Sequence, residues 1–216
     1  MKKKASLSNQ TIEIETNNIT STTEVQNFSN PITENTALTY PTSKYLSNYP
    51  IVDQNVNGMQ RGLCWAATVA SMCRFEKPST WGSLTAQNIA DYCNIGYDDG
   101  GTNGDAIYAL NHYLSSPYVP TATGVLSTSS IQTVINNIDP AYMQCRKKTG
   151  FWPWQFSYHA VALTGYNYPS GYVIRLMDPA YECFKTSTRA ANGSWSFAFG
   201  DTSFAWYRTV RLLYSV

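Results

Sequence analysis

The sequence predicts an α+β fold in which helices precede an antiparallel sheet along the chain. Up to Asn137, apolar residues recur with helical spacing or form runs typical of buried helices. Beyond Asp139-Pro140 the pattern changes to alternation and short apolar runs, which are typical of strands. The chain has 216 residues, which is enough for one domain with a sizeable core.

Residues 1–45 are rich in Ser, Thr and Asn and show little apolar periodicity. Residues 11–15 alternate and fit a short strand, whereas the remainder predicts a flexible segment. We therefore expect the folded domain to span residues 46–216. The first nine residues have the basic start of a signal peptide without an apolar stretch behind it. The charge-poor composition still favours a secreted or cell-surface protein, and a cytoplasmic location stays open.

The helical part of the chain contains four predicted helices, and the clearest is the last. Ile131, Val134 and Ile135 recur at helical spacing there, after a Ser127 cap and before Asp139-Pro140. The first helix is small or apolar nearly all round, which predicts burial on most sides. The other three predicted helices are 62–75, one ending at Tyr92 that Ser83 or Thr85 caps, and 105–114.

The remaining third of the chain is predicted to form the sheet. Its apolar runs are short, bounded by Gly, Pro and Asn, and rich in β-branched and aromatic residues. The predicted strands are 141–145, 159–165, 172–178, 194–199 and 205–214.

Charge and composition exclude several classes of partner. The formal net charge is +1 and no basic patch occurs, so we expect no nucleic-acid partner. No apolar run is long enough to span a bilayer, so we expect no membrane partner. Two histidines and no C-x-x-C pair argue against structural zinc, and the loop at 98–105 lacks the ligand spacing of a calcium loop. We therefore expect no metal and no cofactor.

Cys64 is the first chemical candidate, because it lies where the first predicted helix begins. Unpaired backbone N–H groups and the helix dipole at that position favour a thiolate. Gly62 permits a tight turn into the helix. The alternative is a buried structural cysteine, as we expect for Cys73 and Cys93. The chain has five cysteines, so pairing four of them leaves one free, and a fully reduced chain is equally open.

His159 is the second candidate, because it opens an apolar strand where an ionisable ring is costly without a partner. The spacing supplies that partner if the strands 159–165 and 172–178 form a hairpin through residues 166–171. Leu163 then faces Ile174, and His159 faces Asp178. Directly opposed residues have Cβ atoms about 4.5–5.5 Å apart, which suits a carboxylate that orients an imidazole. A β-bulge would break this register.

These candidates lie in three motifs: Leu63-Cys64-Trp65-Ala66-Ala67, the run from His159 to Tyr166, and Asp178-Pro179. From about residue 46 to its end, the chain resembles papain-like cysteine peptidases, closest to the compact bacterial and bacteriocin-processing (C39-type) groups. The resemblance implies a helical half packed against a sheet half, with the active-site cleft between them. It implies that Cys64 is the nucleophile, His159 the base and later acid, and Asp178 the orienter.

The resemblance further implies hydrolysis of peptide or protein substrates through a thioester acyl-enzyme, without a cofactor. A flexible tail and a pro-segment are the two interpretations of residues 1–45 that their composition leaves open, and we expect a monomer. Two alternatives stay open: a Cys-His amidase or transpeptidase acting on cell-wall peptides, and a non-catalytic peptide-binding module of the same fold.

One departure from the family concerns the oxyanion hole. The family places a glutamine six residues before the nucleophile, where this chain has Gly58. Gln60 is two residues too close to Cys64, and Gln54 is four residues too far. Of the two we favour Gln60, with the backbone N–H of Cys64 as the second donor.

Overall fold

The computed structural model describes residues 40–152, 155–169, 171–199 and 202–215, except for the side chain of Phe199. All of them belong to a compact unit that spans Thr39–Val216. The strand expected at 11–15 and most of the segment expected to be flexible lie outside the described residues. Within the described part of the chain, no helix is long and apolar enough to cross a membrane.

Five helices and ten strands form the described part of the chain. Four of these helices begin near the predicted positions, whereas α2 was not predicted. The helices are α1 Cys64–Glu76, α2 Pro78–Trp81, α3 Ala86–Cys93, α4 Asn103–Leu114 and α5 Thr128–Asn136. The strands are β1 Ser43–Tyr45, β2 Asn55–Val56, β3 Met59–Gln60, β4 Tyr118–Thr123, β5 Ala141–Lys148, β6 Phe156–Asn167, β7 Val173–Asp178, β8 Cys183–Thr188, β9 Ser196–Phe199 and β10 Thr202–Tyr214.

Hydroxyl side chains fix the start of three helices. Thr85 caps α3 and Ser127 caps α5, as the sequence predicts, each by accepting a backbone N–H of the first turn. Helix α4 starts at Asn103 rather than at 105, because the Thr102 hydroxyl accepts the N–H of Asp105 and the Asp105 carboxylate accepts the N–H of Thr102.

The main sheet has eight strands, and each strand pair that the structure describes is antiparallel. Its central order is β4-β10-β5-β6-β7-β8, with β1 paired to β6 and β9 paired to β10. The predicted separation of helices from strands is not strict, since β4 lies between α4 and α5. Strands β4 and β8 were not among the predicted strands. The α+β class holds.

The boundary expected at residue 45 needs correction. Ser43–Tyr45 forms β1 and pairs with residues 165–167 of β6, and Leu46, the next residue, is buried. The backbone N–H of Leu46 donates to the carbonyl oxygen of Thr164. The folded domain therefore begins before residue 46.

Two apolar clusters form the core, and the sheet contributes to both. The first cluster joins α1, α3 and α4 to sheet residues that include Tyr142 and Ala160. The second joins α5 and the segment after β1 to sheet residues that include Val161 and Leu163. Strand β6 therefore lies at the centre of the packing, with Cys64 of α1 packed against the first cluster.

The register of the β6–β7 hairpin differs from the predicted one. Leu163 pairs with Leu176 rather than Ile174, and Gly165 pairs with Arg175. A bulge lies between these two pairs, at Thr164, whose carbonyl oxygen accepts from Leu46 instead. Continued by one residue past the Ala162–Met177 pair, the register places Val161, not His159, opposite Asp178.

Two deletions test the domain boundary. Removing residues 1–38 takes away no described element, so we expect the midpoint of thermal unfolding to be retained. Removing residues 1–47 also deletes β1 and Leu46, and losing a buried leucine side chain alone costs about 2–5 kcal/mol. Calorimetric melting of both proteins measures the difference. If the protein that lacks residues 1–38 did not fold, the boundary would be contradicted.

Candidate active site

Cys64 is the first residue of α1, and the start of this helix has no side-chain cap. Leu63 occupies the capping position without offering a hydrogen bond, and the first turn contains no acidic residue. The free N–H groups of the first turn therefore remain for an anion. Gly62 lies so close to the loop between α3 and α4 that a Cβ would be 2.9 Å from the carbonyl oxygen of Asp98.

The His159 imidazole lies between Cys64 and Asp178. Its Nε2 is 2.9 Å from Oδ1 of Asp178, and the ring also hydrogen-bonds to the Cys64 side chain. Since Nε2 faces the carboxylate, Nδ1 is the nitrogen left for the thiol. The structure thus brings together three of the four predicted site residues in one relay.

The contact between His159 and Asp178 is made diagonally, not across directly opposed positions. His159 is two residues from Val161, the position that faces Asp178 in the continued register. An even offset keeps both side chains on the same face of the sheet, and diagonal neighbours remain within reach of a long side chain. The predicted pairing was therefore wrong in register, although the two residues meet.

Asp178 has no solvent exposure, and donors from three directions surround its carboxylate. The backbone N–H of Ala180 donates to Oδ1 at 3.1 Å, alongside His159. The ammonium of Lys185 lies 2.8 Å from Oδ2. A buried carboxylate needs such partners because desolvation strongly disfavours its charge.

The electrostatics favour a thiolate–imidazolium pair. Burial raises the pKa of Cys64, but the hydrogen bond and charge of His159, with the N–H groups of Ala160 and Trp65, outweigh it and leave that pKa below its ordinary value. Burial lowers the pKa of His159, but Asp178 and Cys64 overcome it and raise that pKa to about 9. Burial likewise opposes ionisation of Asp178, yet His159 and Lys185 hold its pKa below the usual range.

The pKa of three other cysteines shifts in the opposite direction from that of Cys64. All five thiols are free. Burial raises the pKa of Cys73, Cys93 and Cys145. Cys145 lies opposite His159 in the neighbouring strand β5, and the negative charges of Cys64 and Asp178 raise its pKa further.

A cavity of about 280 Å³ opens at Cys64 and His159. Trp65 forms part of its wall. A Cβ at Gly101 would overlap the Trp65 ring, so the loop before α4 packs directly on α1. The remaining lining residues come from the loops before α1 and α4 and from β5 and β6: Gln54, Gly62, Asp98, Gly100, Tyr142, Gln144, Tyr158 and Ala160.

The two glutamines occupy different places, and the preference for Gln60 does not agree with the geometry. Gln60 is exposed, does not line the cavity, and donates from Nε2 to the carbonyl oxygen of Ala180 at 3.0 Å. Gln54 is buried, lines the cavity, and donates from Nε2 to the carbonyl oxygen of Arg61 at 2.6 Å.

The β2–β3 hairpin explains why linear spacing failed here. Asn55 pairs with Gln60, so the chain turns back at Asn57-Gly58, where both residues have positive φ. Gln54 therefore lies beside Arg61, three residues before Cys64, although it is ten residues away in sequence. Asn-Gly between short extended segments is a strong hairpin signal, and it was the clue that could have identified Gln54.

No group of three or more His, Cys, Asp or Glu side chains arranged to hold a metal occurs among the described residues. Among the aromatic side chains, Trp65 lines the cavity, whereas Trp152 and Tyr181 are exposed.

Comparison with protein families matches residues 46–210 to the Peptidase_C39 like family. Because this match covers well over half of the chain, the protein belongs to that family. Membership supports peptidase activity and agrees with the resemblance found in the sequence. Comparison with curated proteins finds no match.

Selective alkylation tests the electrostatics of the site. We expect iodoacetamide to label Cys64 faster than Cys73, Cys93 or Cys145 near pH 7, because its pKa alone among these is lowered. Labelling of Cys64 should decline only as the pH falls through the lowered pKa, where the thiolate is protonated. Peptide mass spectrometry over a pH series gives the site-resolved rates. Equal rates at Cys64 and the buried cysteines would refute an activated thiol.

Proposed function

We propose that the protein is a cysteine peptidase of papain-like fold with a Cys64-His159-Asp178 triad. The main support is the continuous relay from the thiol through the imidazole to a fully buried carboxylate, at the mouth of a cavity. The family match to a peptidase supports the same conclusion. The papain-like arrangement is supported by the origin of the groups, since Cys64 begins a helix and its two partners belong to the sheet.

Acylation begins with the Cys64 thiolate. Its sulfur attacks the scissile carbonyl carbon, and the carbonyl oxygen becomes an oxyanion in a tetrahedral intermediate. The His159 imidazolium then gives its proton to the leaving amine nitrogen, and the C–N bond breaks to leave a thioester. Asp178 keeps the ring oriented and stabilises its positive charge.

Deacylation uses the same groups in reverse. Neutral His159 takes a proton from water, and the resulting hydroxide attacks the thioester carbonyl carbon. Collapse of the second tetrahedral intermediate breaks the C–S bond, releases the acid and restores the thiolate–imidazolium pair. Each proton is returned, so hydrolysis needs only water as co-reactant.

The oxyanion hole is assigned to the backbone N–H of Cys64 and the side-chain amide of Gln54. The first is one of the uncapped donors of α1. The second lines the cavity, and among the described residues its amide nitrogen donates one hydrogen bond, to the carbonyl oxygen of Arg61. The other N–H of the amide is then left for the oxyanion. Both donors are held by surrounding structure before substrate binds, as electrostatic stabilisation of a transition state requires.

Peptides or proteins are the proposed substrates. The composition supports the proposal of a secreted or cell-surface location, and a monomeric state is a further proposal. The segment before the folded domain is proposed to be a pro-segment. If so, deletion of residues 1–38 should leave equal or higher activity.

The decisive test is cleavage of a mixed peptide library by the wild-type protein and by Cys64→Ala, with Cys183→Ala as the matched cysteine control. We expect new peptide termini with wild type and Cys183→Ala, and none with Cys64→Ala, because only the latter lacks the nucleophile. An epoxysuccinyl peptide should label Cys64 in parallel. Labelling without peptide cleavage would favour the amidase or transpeptidase alternative, and neither labelling nor cleavage would favour a binding module.

Two glutamine variants test the oxyanion hole. Gln54→Ala is expected to lower kcat by roughly 10²–10³-fold, because one of two donors to the oxyanion is lost. Gln60→Ala is the control, since this side chain contacts Ala180 outside the cavity, and its effect on kcat should be small. Steady-state kinetics on a peptide from the library supply the values. A large loss in Gln60→Ala with a silent Gln54→Ala would reverse the assignment.

A further inference from the structure

We propose that Lys185 is a positioning residue of the active site: its ammonium fixes the far oxygen of Asp178 and thereby sets the orientation and charge balance of His159. The inference rests on the proposed function, because it extends the same triad by a fourth group. It concerns a residue on β8, a strand that contributes none of the three triad members.

The carboxylate of Asp178 has its two oxygens divided between two cations. Oδ1 faces Nε2 of His159 at 2.9 Å, and Oδ2 faces Nζ of Lys185 at 2.8 Å. Asp178 has no solvent exposure, so its carboxylate relies on these protein partners rather than on bulk water. Rotation of the carboxylate would break both contacts at once, so Lys185 restrains the oxygen that orients the imidazole.

Strand register explains why the three side chains meet. Asp178 pairs with Cys183 on β8, and Lys185 is two residues beyond that position. On the other side, His159 is two residues beyond the position on β6 that faces Asp178. Both offsets are even, so the cation on each flanking strand lies on the same face of the sheet as the carboxylate between them.

Tyr181 covers the ammonium of Lys185. The Lys185 Nζ lies 3.4 Å from the centroid of the Tyr181 ring, in the turn that joins β7 to β8. The Lys185 side chain is only 25% exposed. A cation over an aromatic face and away from water interacts more strongly with a nearby carboxylate than an exposed lysine does.

Charge determines the sign of the expected effect. Removing a cation raises the pKa of every neighbouring titratable group, since each loses a positive potential. The groups around Asp178 are His159 on β6, Cys64 on α1 beyond the ring, Cys145 on β5 opposite His159, and Lys185 itself on β8. Loss of the Lys185 charge should therefore shift the titrations of Cys64 and His159 in the same direction, toward higher pH.

The test compares Lys185→Met, Lys185→Gln and Lys185→Arg in the full chain, with Lys148→Met as the control for loss of an exposed lysine. The first readout is the NMR titration of the His159 ring, which requires no substrate. His112→Gln identifies the second histidine signal. The other readouts are the pH dependence of Cys64 alkylation, kcat and KM on a library peptide, and the melting midpoint.

We expect the His159 titration and the alkylation profile of Cys64 to shift upward by about 0.5–1 pH unit in Lys185→Met and Lys185→Gln. We expect kcat to fall by about tenfold with little change in KM, and Lys185→Arg to restore both titrations. Lys185→Gln retains a hydrogen-bond donor, so it supplies the measurement if Lys185→Met does not fold.

Unchanged titrations in the Met and Gln variants, with or without a lower melting midpoint, would overturn the proposal and leave Lys185 a structural residue. Failure of the proposed function has a different signature. In that case wild-type protein cleaves no peptide, while the His159 titration still shifts on loss of Lys185.

Discussion

The candidate active site depends on one buried charge, the carboxylate of Asp178 at the end of β7. A carboxylate without solvent contact is costly unless its oxygens are fully paired, and removing one partner of such a pair typically costs about 3–5 kcal/mol. The partners come from three elements: His159 on β6, Lys185 on β8, and the N–H of Ala180 in the following turn. The sheet must therefore be assembled before the charge is stable. The packing that assembles the sheet therefore also brings His159 to this carboxylate.

A second constraint is the way in which α1 meets the sheet. Helix α1 is buried along most of its length, and its uncapped end carries Cys64 to the imidazole. The β2–β3 hairpin links the two sides of the site. It holds Gln54 beside Arg61 near the start of α1, and it contacts the β7–β8 turn through Gln60 to Ala180 and Asn55 to Glu182. Gln60 thus supports the turn behind Asp178, while Gln54 faces the cavity.

Several features were predictable because they depend on local sequence. Hydroxyl caps and apolar spacing located α3 and α5, and the apolar character of 62–75 located α1. The same local signals placed Cys64 at a helix start and His159 and Asp178 on neighbouring strands. Less was predictable where contacts between distant segments decide whether a strand forms. Strand β8 is only partly apolar, and β1 exists through its pairing with β6, about 120 residues away in sequence.

The sequence by itself indicated the α+β class and the approximate starts of four helices, because side-chain periodicity and capping act within a few residues. It also singled out Cys64, His159 and Asp178, which the structure places close together. Only the tertiary structure decided the register that joins His159 to Asp178, since the bulge at Thr164 forms where its carbonyl oxygen accepts from Leu46. The tertiary structure likewise decided the position of Gln54, because the β2–β3 hairpin places it beside Arg61, three residues before Cys64. Lys185 joins the site for the same reason: strand pairing, not sequence proximity, places its charge beside the carboxylate.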